Sequence, residues 1–254
     1  MQLAEQILKH LMDDKRLGYR DRSAYLWVLV CRPESIRELA RQTGMSRGQA
    51  TAACRRLDQF KWFRLEEVGK AQPRQRPVPL VPIECQLALA RELEREYELV
   101  PKKGEFLMKR HLDMWVCSRR FVDNARPDFL TNPKTGVPLE YDRYYFEEHV
   151  AFEFNGPQHY GTTSEFADDE AVKDQQARDA MKQGLSVRAG VKLITVTPGD
   201  LRQGQFEKLL PAGIALNPVD TSGPYYQTLI RISTAYAAKT ARQAPAASGV
   251  GGKK

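Results

Sequence analysis

Two short segments of alternating hydrophobicity, separated by only four residues, constrain the fold of this chain more than any other feature. Residues 139–145 (LEYDRYY) and 150–156 (VAFEFNG) both alternate with a period of two, which is typical of β-strands. If the connecting loop is centred on Glu147 and Glu148, the strands form an antiparallel hairpin. We therefore expect a sheet in this part of the chain.

The segments that follow the hairpin predict helices packed on this sheet. A helical pattern covers roughly 165–186, and AGVKLITVTP (189–198) has the composition of a short buried strand. A strand that follows a helix in this way favours a mixed sheet with helices on its faces. The fold class expected for the chain is therefore α/β (α+β).

The predicted hairpin brings acidic and amide side chains together on one face. In this register Asp142 lies opposite Glu153 and Glu140 lies opposite Asn155, while Tyr141 belongs to the other face. Opposed carboxylates repel each other unless a cation lies between them. Oxygen ligands from two strands suit Mg²⁺ or Mn²⁺. The alternative is a solvated face whose charges splay outward.

The N-terminal part of the chain has the pattern of two short helices joined by a turn. Ser35 with Glu38 forms a capping box at the start of the first helix. Gly44 stands where the turn is needed, and Ser46 can cap a second helix that runs to about Phe60. This spacing predicts a helix-turn-helix.

After the second helix, KWFRLEEV alternates like a strand, and GKAQPRQRPVPL supplies a basic loop and a return strand. Helix, turn, helix and hairpin together resemble a winged helix-turn-helix domain over about 22–83, which implies DNA binding. The alternative is a small helical protein-interaction domain. The candidate DNA-binding donors are Arg47, Gln49, Arg55, Arg56, Arg74 and Arg76.

The charge distribution agrees with a nucleic-acid partner. The chain carries a net charge of +7, from 39 Lys and Arg against 32 Asp and Glu. The window from Arg20 to Leu80 contains 13 basic and 6 acidic residues and so holds the whole excess. A basic block of domain size indicates a polyanionic partner, although a merely basic soluble domain would show the same balance.

The order of these segments predicts a division into domains. We expect a winged helix-turn-helix domain over 1–83, a connecting helix or linker over 84–103, a catalytic domain over 104–236 and a disordered tail over 237–254. No stretch reaches the ~18 apolar residues of a membrane span, and the first residues lack a signal-peptide pattern. The expected location is cytoplasmic, without a membrane partner.

Residues 104–200 resemble a known nuclease superfamily. The resemblance rests on NARPDFLTNPKTGVPLEYDRYYFEEHVAFEFNGPQHY, followed by ARDAMK and AGVKLITV. These segments are similar to the restriction-endonuclease-like PD-(D/E)XK superfamily, in its very-short-patch-repair and EDxHD homing-endonuclease branch. The resemblance implies a metal-dependent DNA endonuclease of homing, phage or repair type, encoded by a bacterium or a phage.

The resemblance also implies roles for individual residues. Glu105, next to Gly104, is the helix acid, Asp142 the central metal ligand and Glu153 the second acid and metal ligand. His159 is the histidine of the branch, and Asp179 and Lys182 match its later acid and lysine, so that His159 and Lys182 complete the catalytic set. Asp174 competes with Asp179 for the acid, and the other secondary candidates are Arg178, Gln158, Glu140 and Asn155. Asp128, in the Pro-Asp pair of Arg126-Pro127-Asp128, is the reserve candidate for the central acid.

One position departs from the superfamily pattern and keeps a second function open. The wider superfamily has a lysine two residues after the second acid, where this chain has Asn155. The EDxHD branch has an acid or an amide there. The alternative is therefore a DNA-binding regulator or a replication-associated adaptor with a catalytically inactive nuclease-like domain. The sequence leaves open whether the protein works as a homodimer.

Overall fold

A computed structural model describes residues 3–69, 72–118, 120–156 and 169–243, with the side chains of 169–176 and 243 outside the description. The chain divides into two compact units. The first takes in the chain as far as Glu92 together with Gly223–Tyr225, and the second takes in the remainder from Leu93.

The first unit consists of short helices followed by a hairpin. Its elements are α1 (Leu3–Asp13), α2 (Tyr19–Cys31), α3 (Ile36–Thr43), α4 (Arg47–Gln59), β1 (Phe63–Val68) and β2 (Arg74–Pro79). The strands pair antiparallel, and within the described residues they form a two-stranded sheet. A long helix, α5 (Ile83–Leu99), begins in this unit and ends in the second.

The helix boundaries of this unit follow from the capping residues that the sequence indicates. The hydroxyl of Ser35 accepts from the N–H of Glu38 at 3.2 Å, and Gly44 ends α3 with a φ of 71°. Ser46 and Gln49 form a reciprocal capping box, with bonds of 3.2 and 3.0 Å. The predicted N-caps and turn are confirmed, but Ser35 and Glu38 do not form the reciprocal capping box, because Oε2 of Glu38 accepts from the N–H of Glu34 at 2.8 Å.

Aromatic residues at the start of the hairpin pack into the core of the first unit. Trp62 and Phe63 are fully buried, and the Trp62 ring meets Tyr25 edge-on with centroids 5.2 Å apart. The Trp62 indole donates to Oδ2 of Asp14 at 2.9 Å, so its polar atom is satisfied although the ring is buried. These contacts fix the start of the hairpin against α2.

The second unit is a sheet with helices before, between and after its strands. Its elements are α6 (Lys103–Trp115), β3 (Phe121–Ala125), β4 (Tyr141–Tyr145), β5 (Val150–Phe154), α7 (Asp169–Arg188), β6 (Lys192–Val196), a 3₁₀ turn (Pro198–Leu201), α8 (Phe206–Leu209) and α9 (Pro224–Gln243). Within the described residues the sheet has four strands in the order β3-β4-β5-β6. The first three are antiparallel and β6 pairs parallel to β5, which confirms the α/β (α+β) class.

The central hairpin has the predicted register. Arg143 pairs with Phe152, and Tyr145 pairs with Val150 on either side of the turn. The strands are shorter than the alternating segments, so Glu140 and Asn155 lie just outside them. The same register, continued by one residue, sets Asp142 opposite Glu153.

The predicted disordered tail begins too early. Helix α9 continues to Gln243, so residues 237–243 are helical, and 244–254 lie outside the description. The composition of this segment suggests disorder, but its residues Ala237 and Thr240 are buried. They continue a buried stripe at helical spacing that includes Leu229 and Ser233. Small side chains permit close packing of a helix as well as they permit flexibility.

The connecting helix or linker predicted over 84–103 coincides for most of its length with α5, which begins at Ile83 and ends at Leu99. The boundary between the two units falls inside α5, between Glu92 and Leu93, and a break of only three residues separates α5 from α6. Residues 84–99 therefore lie in α5, and Lys103 is the first residue of α6. In the part of the chain that the structure describes, no helix is both long enough and apolar enough to cross a membrane.

Candidate active site

A row of polar residues crosses one face of the four-stranded sheet. The pairs on either side of Asn124 place it opposite Asp142, the hairpin register sets Asp142 opposite Glu153, and Glu153 pairs with Thr195. Directly opposed residues project from the same face of a sheet. Each strand of the sheet thus contributes one member, and the two acids stand side by side in the middle.

Asp142 is held by the backbone of the neighbouring strand. Its Oδ2 accepts a hydrogen bond from the N–H of Phe154 at 2.7 Å. Burial raises the pKa of this carboxyl above its ordinary value, and the negative charge of Glu105 raises it further, against the lowering effect of the Phe154 N–H and of Lys109 and Lys102. Asp142 is therefore an acid short of positive charge.

The two carboxylate oxygens of Glu153 differ in their hydrogen bonding. Its Oε1 accepts from the ammonium of Lys182, whose side chain is only 12% exposed. Its buried Oε2 has no hydrogen-bond donor among the described residues. Burial raises the pKa of Glu153 despite Lys182, and the charges of Asp142 and Asp179 raise it further. A second cation would lower the pKa of Glu153 and would give Oε2 a partner.

Glu105 lies on α6 with a lysine at each oxygen. Its Oε1 accepts from Lys109 at 2.6 Å, and Lys102 lies 3.0 Å from Oε2. The carboxylate is 13% exposed, and burial raises its pKa, but the two lysines outweigh burial and hold the pKa below its ordinary value. The sequence interpretation missed Lys109, although its i,i+4 spacing from Glu105 is a recognisable ion-pair pattern.

Gly104 lets α6 approach the sheet closely enough to bring Glu105 to the row. A Cβ at this position would overlap the ring of Phe154 and lie 2.6 Å from the hydroxyl of Tyr236. Phe154 is also the residue whose N–H holds Asp142. Because Gly104 has no side chain, α6 can pack against Phe154, and this brings Glu105 close to Asp142.

We expect Gly104→Ala to destabilise the protein and to displace Glu105. The extra methyl group collides with a ring that is itself packed, and overpacking of this kind costs about 1–3 kcal/mol. Chemical denaturation measures the loss. The control is Gly184→Ala on α7, where a Cβ meets nothing within 4 Å. Equal stability of the two variants would contradict the close approach.

Beside the acid row lies a small pocket of about 100 Å³. Its polar lining comes from Glu153, Asn155, Asp179, Lys182, Gln183 and Thr195, and Phe154 and Leu193 complete it. Oδ1 of Asn155 is buried and has no donor among the described residues. The pocket thus combines two carboxylates, two amides and one lysine with apolar side chains, and Asn155 lies where the superfamily that the sequence resembles has a lysine.

Other predicted residues of this region lie elsewhere or outside the description. Asp128 is exposed in the turn after β3, and Glu140 is paired with Arg126 at 2.8 Å. Arg178 is exposed on α7. Gln158, His159 and the side chain of Asp174, which the sequence also predicts for the site, lie outside the described residues. The structure thus brings together Glu105, Asp142, Glu153, Lys182 and Asp179, with Asn155 beside them.

In the first unit, most of the predicted DNA-binding side chains face solvent. The exposed ones are Arg47, Gln49, Arg55, Arg56 and Arg74. The Gln49 carboxamide oxygen is taken up by the helix cap, and Arg56 lies 3.6 Å from the buried carboxylate of Asp21. Arg76 is half-buried and donates to Glu66 at 2.8 Å. Arg47, Arg55 and Arg74 are therefore the most accessible donors for phosphate.

Comparison with known proteins gives relatives in viruses. An uncharacterized protein, 033L, of Invertebrate iridescent virus 3 is 42% identical over 95 residues, 37% of this chain and 48% of the relative. An uncharacterized protein, 307L, of Invertebrate iridescent virus 6 is 37% identical over 99 residues, 36% of this chain and 50% of the relative. An uncharacterized protein, 094L, of Frog virus 3 (isolate Goorha) is 33% identical over 99 residues, 37% of this chain and 63% of the relative.

Each of these relatives is a viral protein. The chain spans about half the length of the first two and less than two thirds of the third. No protein-family model and no solved structure matches the chain.

The site meets the chemical requirements of a divalent cation in part. Over the described residues, no group of three or more His, Cys, Asp and Glu side chains has the geometry of a metal site. The two central acids are nevertheless short of positive charge, and buried oxygens of Glu153 and Asn155 lack donors. Two carboxylates and an amide oxygen are ligands that Mg²⁺ and Mn²⁺ accept together with water and phosphate. The residues therefore fit such an ion.

Proposed function

We propose that the protein is a metal-dependent DNA endonuclease that hydrolyses phosphodiester bonds and is targeted by its first unit. The observation that carries this proposal is the placement of Asp142 and Glu153 side by side on adjacent strands, with Glu105 and Lys182 on either side of them. Two buried acids with raised pKa values beside lysines suit the binding of a cation and a phosphate.

The order of elements in the second unit supports the resemblance to the restriction-endonuclease-like fold. A helix is followed by three antiparallel strands, a helix and a parallel strand, so that both acids fall on the central hairpin. The helix acid Glu105 precedes them on α6, as the resemblance implies.

The proposed ligands of Mg²⁺ or Mn²⁺ are Asp142 and Glu153, with Asn155 as a further oxygen donor. When bound, the cation would polarise the phosphate and lower the pKa of water. The Phe154 N–H fixes the orientation of the Asp142 carboxylate. Lys182 fixes Glu153 through Oε1, and the buried Oε2 has no donor among the described residues.

Hydrolysis joins a water oxygen to phosphorus, breaks a P–O ester bond and transfers a proton from the water to a base. Both oxygens of Glu105 already interact with lysines, which makes its carboxylate a weak base and suits it to orienting water. We assign proton acceptance to His159, which lies outside the described residues. Lys182 stands beside Glu153, where its charge offsets negative charge that develops on the phosphate.

The first unit supports DNA targeting. Its capped helices α3 and α4 are joined at Gly44 and followed by a basic hairpin, an arrangement that resembles a winged helix-turn-helix. Exposed arginines on α4 and β2 suit phosphate and base contacts. The viral relatives are compatible with a phage or viral origin.

The test is incubation of the purified full chain with supercoiled plasmid in Mg²⁺, in Mn²⁺ and in EDTA. We expect metal-dependent conversion to the nicked or linear form and none in EDTA. Agarose gel densitometry over time gives the rate. Absence of cleavage with both metals would contradict the proposal.

The second candidate function is a DNA-binding regulator or replication-associated adaptor. It is favoured by Asn155 in place of the superfamily lysine and by the direct bond between Lys182 and Glu153, which partly neutralises the acid. This candidate predicts a salt-sensitive gel shift that survives EDTA, without turnover. The plasmid assay and the gel shift, run on one preparation, separate the two functions.

A further inference from the structure

Asn124 has an unusual backbone at the edge of the acid row. Its φ is 53°, in the left-handed region, although it lies within strand β3. The register sets it opposite Asp142, yet that pair is missing from the ladder between the pairs of Asp123 and Ala125. Non-glycine residues adopt this conformation at a cost, and asparagine is among those that adopt it most easily. Strain of this kind is concentrated at functional sites.

The side chain of Asn124 makes a contact that accounts for the irregularity. Its Oδ1 accepts a hydrogen bond from the ammonium of Lys109 at 2.9 Å. The same ammonium donates to Glu105 at 2.6 Å, so Lys109 is held between a helix acid and a strand amide. An ordinary i,i+4 surface pair has no third partner of this kind.

Lys109 is also fixed through its backbone and is partly withdrawn from solvent. The carbonyl oxygen of Lys109 accepts from Nη1 of the buried Arg143 at 3.3 Å, and its side chain is 18% exposed. Two of the three ammonium N–H groups are committed to Glu105 and Asn124, which leaves one donor without a hydrogen bond among the described residues. The ammonium is close enough to Asp142 to affect its charge, and the side chain of Asn124 beside it is exposed.

We propose that Lys109 binds a phosphate oxygen of the DNA with its remaining N–H, and that Asn124 is the positioning residue that holds it there. A lysine held in this way supplies a fixed positive charge at the open edge of the acid row, at a site where the superfamily lysine is replaced by Asn155. The inference rests on the proposed function for the identity of its ligand.

The experiment measures DNA binding by the full chain in EDTA, with a short fluorescent duplex at a series of salt concentrations. Each phosphate contact contributes about 0.9 to the slope of log affinity against log salt. We expect Lys109→Met to lower the magnitude of the slope by about one contact and Lys109→Arg to retain it. The matched control is Lys239→Met, an exposed lysine of α9, whose slope should equal that of the wild type.

Asn124→Gly tests the positioning role, because glycine accepts the left-handed backbone while the side chain that holds Lys109 is removed. We expect this variant to weaken binding several-fold, and the double variant with Lys109→Met to bind as Lys109→Met does alone. Circular dichroism confirms that the variants are folded. An unchanged slope in Lys109→Met, or an equal effect of Asn124→Gly in both backgrounds, would overturn the inference.

These readouts remain separate from the nuclease test because binding is measured without metal. A changed slope with an uncut plasmid would support the Lys109 site and reject the nuclease. Metal-dependent nicking with an unchanged slope would support the nuclease and reject the Lys109 site.

Discussion

Asp142→Asn is expected to reduce metal-dependent nicking at least about 1000-fold. The substitution removes one of the two carboxylates that face each other across the hairpin and keeps its size, so the Phe154 N–H still finds an oxygen. The charge stabilisation that a cation provides in such a site is several kcal/mol, and each ~1.4 kcal/mol is a factor of ten in rate. Plasmid nicking rates in Mg²⁺ and Mn²⁺ measure the loss.

DNA binding in EDTA should be unaffected by this change or strengthened slightly, because a negative charge near the phosphate is lost. Glu153→Gln should reproduce the nicking defect. The matched control is Glu147→Gln in the turn of the same hairpin, where the side chain is half exposed and paired with Arg120. Full nicking by both site variants would contradict the assignment of Asp142 and Glu153 as metal ligands. Loss of nicking in Asp128→Asn alone would identify Asp128 as the central acid instead.

The central hairpin could be predicted because the pattern that determines it lies within a short stretch of the sequence. Alternation with a period of two and a four-residue gap leave one register that keeps Tyr141 and Phe152 buried, and both are fully buried. The caps at Ser35 and Ser46 were predictable for the same reason, since a capping box is defined within four residues.

The parts that escaped prediction depend on contacts between distant segments. The left-handed backbone of Asn124 leaves no pattern in the sequence, and its partner Lys109 belongs to another element. The helical end of α9 was obscured by its small residues, which pack only when a partner surface is present. His111 shows the same limit: burial lowers its pKa to about 3, and no feature of its neighbours in the chain predicts that.

Arg143 is another residue whose environment depends on distant segments, and its replacement is expected to have a large effect on stability. It lies on the aromatic face of the hairpin with 1% of its surface exposed. Its guanidinium donates to Asp113 and to Asp123, each at 2.6 Å, and its charge lies 4.0 Å from the ring centre of Phe121. The alternation of the hairpin does not predict this burial, because the acids that pair with Arg143 belong to α6 and β3.

Arg143→Met is expected to destabilise the protein by about 3–5 kcal/mol. Methionine fills much of the volume but leaves Asp113, whose side chain is 6% exposed, as a buried carboxylate that has lost its nearest cation. The midpoint of urea unfolding measures the loss. Arg126→Met is the matched control, because Arg126 forms an exposed pair with Glu140 and such pairs contribute about 0–1 kcal/mol.

Adding Asp113→Asn to Arg143→Met should recover part of the lost stability, since the double variant no longer contains the uncompensated charge. If instead the loss comes from the cavity and from the missing contact with Phe121, the second substitution will give no recovery. Equal unfolding midpoints for Arg143→Met and Arg126→Met would show that the ion-pair network between α6, β3 and β4 does not hold the helix that carries Glu105 against the sheet.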